Sequence, residues 1–161
     1  MRPAQRPLVS RARVGLCLAL LLTTAPFATS AAERSRADEL KRVIDRNTGF
    51  AHMTRGVNAY TLIALRSCVS GRDVPVLAQL LTDRDYVTQL AAASVMADLG
   101  DDGKRALQQA LRTAPDTRTR STIEDALREA ESPTRTPILD YPLTPKERQR
   151  IRGCRPFAGK E

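Results

Sequence analysis

The alternation of apolar and polar positions is clearest between Asp83 and Asp101, where Val87, Val95 and Leu99 recur at helical spacing around Ala91, Ala92 and Ala93. Asp85 can accept the free N–H groups of a first turn, and Gly100 can take the left-handed conformation that ends a helix. The stretch therefore predicts one helix with both of its stops, whose small residues let a neighbouring helix approach closely. The pattern repeats. A shift of thirty residues places Val57 on Val87, Leu65 on Val95, Val69 on Leu99 and Leu77 on Leu107. A shift of thirty-one in the other direction places Asp85 on Asp116, Ala92 on Ile123, Val95 on Ala126, Met96 on Leu127 and Leu99 on Ala130. A period of that length is one helical hairpin, which buries its apolar stripe only by stacking on the next.

The flanking segments fit the same scheme. Glu33 to Thr48 predicts an opening helix with Leu40, Val43 and Ile44 on one side and Gly49 as its stop, covering the apolar end of the stack. A second helix is expected from about Arg55 to Val69, and a third after Asp73, with Asp73 as cap and Pro75 in the first turn. Asp101-Asp102-Gly103 reads as a turn into a fifth helix around Leu107, and Pro115-Asp116 as a turn into a sixth through Ile123. Beyond Ser132, Pro133, Pro137, Pro142 and Pro145 forbid a continued helix. Ile138, Leu139, Tyr141 and Leu143 make this segment too apolar for an unattached linker. Thr144-Pro145-Lys146-Glu147 is a capping box with proline at the first helical position, predicting a short basic helix to about Arg152, ended by Gly153.

Asp83, Asp85, the run Ala91 to Ala93, Met96, Leu99 and Gly100 resemble the second helix of the short HEAT-like repeats also found in phycobilisome lyases. Thr88 and Gln89 stand where that family has Val and Arg, and Arg120 is the equivalent arginine one repeat later. The resemblance covers roughly residues 55–131 and implies architecture, not chemistry. It gives an all-α fold: a short α-solenoid of about two and a half HEAT-like hairpins, with an N-terminal capping helix and an extended Pro-rich tail. It also implies that the second helix of each repeat lines a concave side. The outward positions there are Arg120, Ser121, Glu124 and Arg128 in the last repeat, but Ala59, Tyr60, Ile63 and Ser67 in the first and Gln89, Leu90, Ala93 and Ala97 in the middle one, where Leu90 and Ala93 stand out with Tyr86 nearby. Tyr60, Ile63, Tyr86 and Leu90 are therefore the candidate partner-binding residues, because contiguous apolar surface marks an interaction site. Three coverings are open: the opening helix or an irregular twist, the tail through Leu139, Tyr141 and Leu143, or an external protein.

Residues 1–32 change the cellular picture. Arg2, Arg6, Arg11 and Arg13 precede a short apolar core, Val14 to Leu22, and then the small residues Ala28 to Ala32, the order of a secretory signal peptide cleaved near Ala32. An uncleaved anchor is the competing reading, since Val14 to Ala32 is uncharged. Leu16 before Cys17 excludes a lipid-attachment signal. The expected segments are thus signal 1–32, repeat domain 33–131 and basic tail 132–161, in a periplasmic or secreted protein.

Charge follows these boundaries. Four of the 26 basic residues and none of the 18 acidic ones fall in the signal; seven basic and three acidic fall in the tail, leaving fifteen of each between. A neutral folded region argues against nucleic acid as partner.

Chemistry is sparse. After the signal there remain His52, Cys68 and Cys154, too few for a structural zinc site and without its spacing. A Cys68–His52 nucleophile pair is conceivable, but an exported chain with two cysteines more often joins them, and Cys68 falls on the register position of the polar Asp98. A disulfide between Cys68 and Cys154 is expected. No phosphate loop, serine-hydrolase elbow or metalloprotease motif occurs, so neither catalysis nor a cofactor is expected. The reading is an exported interaction scaffold or adaptor whose partner is another envelope or secreted protein. A periplasmic immunity or inhibitor protein that neutralises a delivered toxin is the alternative.

Overall fold

The computed structural model describes residues 30–48 and 57–154, and these are all helix, turn and extended connection. The α-helices are α1 (Ala31–Thr48), α2 (Ala59–Cys68), α3 (Val74–Leu80), α4 (Tyr86–Asp98), α5 (Asp101–Arg112), α6 (Thr117–Glu131) and α7 (Pro145–Arg150), with 3-10 turns at Gly71–Asp73 and Ile138–Asp140. The expected signal segment up to Thr29, the Gly49 stop and His52 lie outside the described residues. α1 starts at Ala31 with a capping box: Ser30 Oγ accepts the Glu33 N–H at 3.1 Å and the Glu33 carboxylate accepts the Ser30 N–H at 2.9 Å. Cleavage after Ala32 would remove that cap.

α4 is the central element because it is apolar nearly all round. Ala91, Ala92, Ala93, Val95 and Met96 are fully buried, and α1, α2, α3, α5 and α6 all pack against it. Alternate helices also meet: α1 packs on α3 and α3 on α5, while α2 packs on α4 and α4 on α6. Leu40, Ile44, Ile63, Leu65, Leu77 and Leu107 complete one continuous core.

The second-layer helices α2, α4 and α6 open alike. Asn58, Asp85 and Asp116 each accept the N–H of a threonine three residues on, from Thr61 at 2.7 Å, Thr88 at 2.9 Å and Thr119 at 2.7 Å. All three threonines are buried. The two aspartates also take the threonine hydroxyl, at 2.7 Å from Thr88 and 3.2 Å from Thr119. At Asn58 the Oδ1 takes only the Thr61 N–H while the NH2 donates to Asn47 O at 3.2 Å, and Thr61 Oγ1 has no partner. Burial alone would raise the Asp85 carboxyl, but the Thr88 hydroxyl and the Thr88 and Val87 N–H groups hold it below its ordinary value.

Several expected details are corrected. Cys68 and Asp98 end α2 and α4 thirty residues apart, yet their N-caps Asn58 and Asp85 are only 27 apart: α2 starts one turn later than Arg55. The Asp73 carboxylate does not cap α3; it turns back to the Ser70 N–H at 2.9 Å and takes Arg36 Nε at 2.9 Å. Asp101-Asp102-Gly103 is the first turn of α5 and not the turn before it. Gly103 is there because α5 crosses the end of α4 closely: a Cβ on it would lie 1.8 Å from Met96 O. Gly100 has φ 76° and ψ −147°, not the left-handed helical backbone expected of a helix stop but an extended one essentially restricted to glycine, at the N-cap position of α5. α7 has the expected capping box and Pro145 but ends at Arg150, before Gly153.

Candidate partner-binding face

The face of α2 and α4 that the repeat pattern leaves outward is occupied by the chain's own C-terminal segment. Leaving α6, the chain places Arg135 over the C-terminal end of α4, where its guanidinium donates to Ala97 O at 2.9 Å and pairs with Asp98 at 3.3 Å. Asp98 then accepts the Ile138 N–H at 3.0 Å and Arg66 Nε at 2.7 Å. Its side chain is only 7% exposed, so one nearly buried carboxylate joins α2, α4 and the tail. Three donors on one carboxylate meet the requirement that a buried charge be paired and fully hydrogen-bonded. Ile138 inserts its side chain to 1% exposure, and the 3-10 turn it opens packs on α2.

Further along, Glu147 of α7 accepts the Tyr60 hydroxyl at 2.6 Å. That bond, with the Thr144 N–H and hydroxyl, holds the Glu147 carboxyl down to about 2. Asn47, buried at the end of α1, clamps the tail backbone in both senses: its Oδ1 accepts the Arg152 N–H at 3.0 Å and its Nδ2 donates to Arg152 O at 3.3 Å. Cys154 closes the strap onto the last residue of α2, as a disulfide with Cys68 at a Cα–Cα distance of 4.9 Å. Gly153 runs close over α2, where a Cβ would meet Ser67 Oγ at 2.4 Å.

The four candidate residues separate accordingly. Ile63 is 1% exposed and belongs to the core, a correction to its placement on an outward stripe; Ala93 and Ala97 are buried with it. Tyr60 is half-buried beneath the strap. Tyr86, 43% exposed, and Leu90, half-buried, stand nearer the N-terminal end of α4. There the Arg118 guanidinium of α6 lies 5.4 Å from the Tyr86 ring centroid and donates to Arg84 O at 3.1 Å. Of the tail residues expected to seek a surface, Tyr141 and Leu143 pack on the core while Leu139 is 46% exposed.

Arg135, Asp98 and Asn47 were not foreseen as strap contacts. Their partners lie 37 to 105 residues away, and no local pattern announces such pairs. The Asx-x-x-Thr caps at 58, 85 and 116 were visible in the sequence and mark the helix starts better than the apolar register does.

Elsewhere a half-open groove of about 840 Å³ runs between α3, α5 and the start of α6, walled by Ala78, Leu81, Ala110 and Ile123. Among the described residues no three His, Cys, Asp or Glu side chains are grouped to hold a metal ion, and no helix is long and apolar enough to cross a membrane. The chain matches no protein-family profile, no curated protein and no solved structure.

Proposed function

We propose that this is an exported, disulfide-stapled helical-repeat module of HEAT-like type that works by holding another protein and not by catalysis. The observation that carries the reading is the surface at the N-terminal ends of α4 and α6, where the Arg118 guanidinium lies over the exposed Tyr86 ring and half-buried Leu90 follows one turn along α4. Tyrosine and arginine are the residue types that most often dominate binding energy, and here two capped helices and a cation–π contact hold them in place. The layering of α1, α3 and α5 against α2, α4 and α6 supports the repeat architecture. Gln89, in the place of the family's arginine, supports it too: its amide bonds Asp83 O at 2.8 Å and reaches Thr119 of α6 at 3.5 Å. The disulfide supports an oxidising compartment, and with it the export reading.

The test is affinity capture from envelope extract with the wild-type chain and with Tyr86→Ala and Arg118→Ala. The reading predicts a protein captured by the wild type and lost with either variant, at unchanged Tm. Identical capture by all three would move the partner surface elsewhere.

A further inference from the structure

A second, polar groove of about 520 Å³ lies between α1 and the end of the strap. Arg42 and Arg46, one turn apart on α1, line one wall, and Arg152 and Cys154 line the other. Like charges four apart on a helix oppose its formation, so their pairing calls for a counter-charge. Among the described ion pairs, Arg42, Arg46 and Arg152 take no carboxylate. Arg42 spends only its Nε, on Asp38 O at 3.2 Å. Glu39 also lines the groove, but its carboxylate is already engaged by Arg36 at 2.7 Å. Ser35 adds a neutral hydroxyl donor.

The third arginine is brought in from the far end of the chain. Its backbone is fixed on both sides by Asn47, at 3.0 and 3.3 Å, and two residues later the chain is tied to Cys68. Planar guanidinium forks around a small polar hollow suit a multivalent oxyanion, whose oxygens each take paired N–H donors. We infer that Arg42, Arg46 and Arg152 form a binding site for a phosphate-class oxyanion, assembled only when the C-terminal strap is docked. Free phosphate or pyrophosphate and the phosphate headgroup of an anionic lipid share this chemistry.

The experiment uses the oxidised protein at fixed ionic strength. Inorganic phosphate and pyrophosphate are titrated by calorimetry, and vesicles with and without phosphatidylglycerol are tested by co-sedimentation. Binding of a free anion identifies a soluble ligand; binding only to phosphatidylglycerol vesicles identifies a headgroup; either supports the site. Arg152→Gln and Arg46→Gln should each weaken that binding on the order of tenfold. Arg148→Gln and Arg150→Gln remove equal charge from α7, outside the groove, and should leave it unchanged. Reducing the Cys68–Cys154 bond with a dithiol should weaken binding to the Arg152→Gln level; the arginine variants, which keep the disulfide, give the result independently if the reduced protein unfolds. No binding to any probe, or equal losses from Arg148→Gln and Arg152→Gln, overturns the inference.

Discussion

Asp98 accepts the backbone N–H of Ile138 at 3.0 Å across forty residues of chain, and through that bond the last helix turn of α4 holds the C-terminal strap. The same carboxylate is the only acidic partner of Arg66 and Arg135 among the described ion pairs. Asp98→Ala should therefore cost about 3 kcal/mol, the usual price of stranding partly buried charges, and lower Tm by roughly 10 °C. Asp98→Asn, which keeps an acceptor for Ile138 but loses the charge, should fall between. Differential scanning calorimetry of the three proteins measures this.

Gly103→Ala should destabilise by about 2 kcal/mol, because its Cβ would drive into Met96 O and force the α4–α5 crossing apart. Gly71→Ala is the matched control: the nearest atom to its Cβ is an Asp102 carboxylate oxygen at 4.0 Å, so it should stay within about 0.5 kcal/mol of wild type. Urea unfolding resolves the difference, and equal effects would mean that the crossing is looser than described.

Acid should loosen the strap. Hydrogen bonds from Tyr60 and Thr144 set the Glu147 carboxyl at about 2 in the folded protein against 4.5 when unperturbed. A depressed folded value contributes stability that is present above 4.5 and is lost as pH falls toward 2. Asp73, Asp83, Asp85 and Asp116 are shifted in the same direction. Tm should thus decline through this range, and Glu147→Gln should flatten the decline while leaving the part due to the aspartates. A Glu147→Gln profile that parallels wild type would show that the Tyr60 contact does not form in solution.

Cys154→Ser opens a loop whose ends are 86 residues apart, and the chain-entropy model gives up to about 4.6 kcal/mol for its closure. Alkylation of the unfolded, non-reduced protein should leave Cys68 and Cys154 unmodified. Labelling of both would remove the disulfide and, with it, the support for an oxidising compartment.

How far the chain could be read depended on whether the information was local. The cap at Asp85 and the Thr144–Glu147 box are set by neighbours within a few residues, and they stand as expected. The start of α2 was misplaced because apolar register is blind to a missing turn, whereas its Asn58-x-x-Thr61 cap is not. Ile63 was assigned outward because periodicity identifies an apolar face without identifying what covers it. The excess of Ile138, Tyr141 and Leu143 in a proline-rich tail signalled a docking segment, but its path is written in Asp98, Asn47 and Arg135, polar residues whose importance lies in distant partners.

The central claim is that residues 133–154 belong to the fold, closing over α2 and α4. Ending the chain after Ser132 tests it most directly. The account predicts a Tm lower by about 10 °C or more, from the loss of Ile138 burial, the Asp98 donors and the disulfide together, and a smaller fall in the same direction for Tyr60→Asp in the intact chain. A truncated protein that melts at the wild-type temperature would contradict it and return the α2–α4 face to solvent or to a partner.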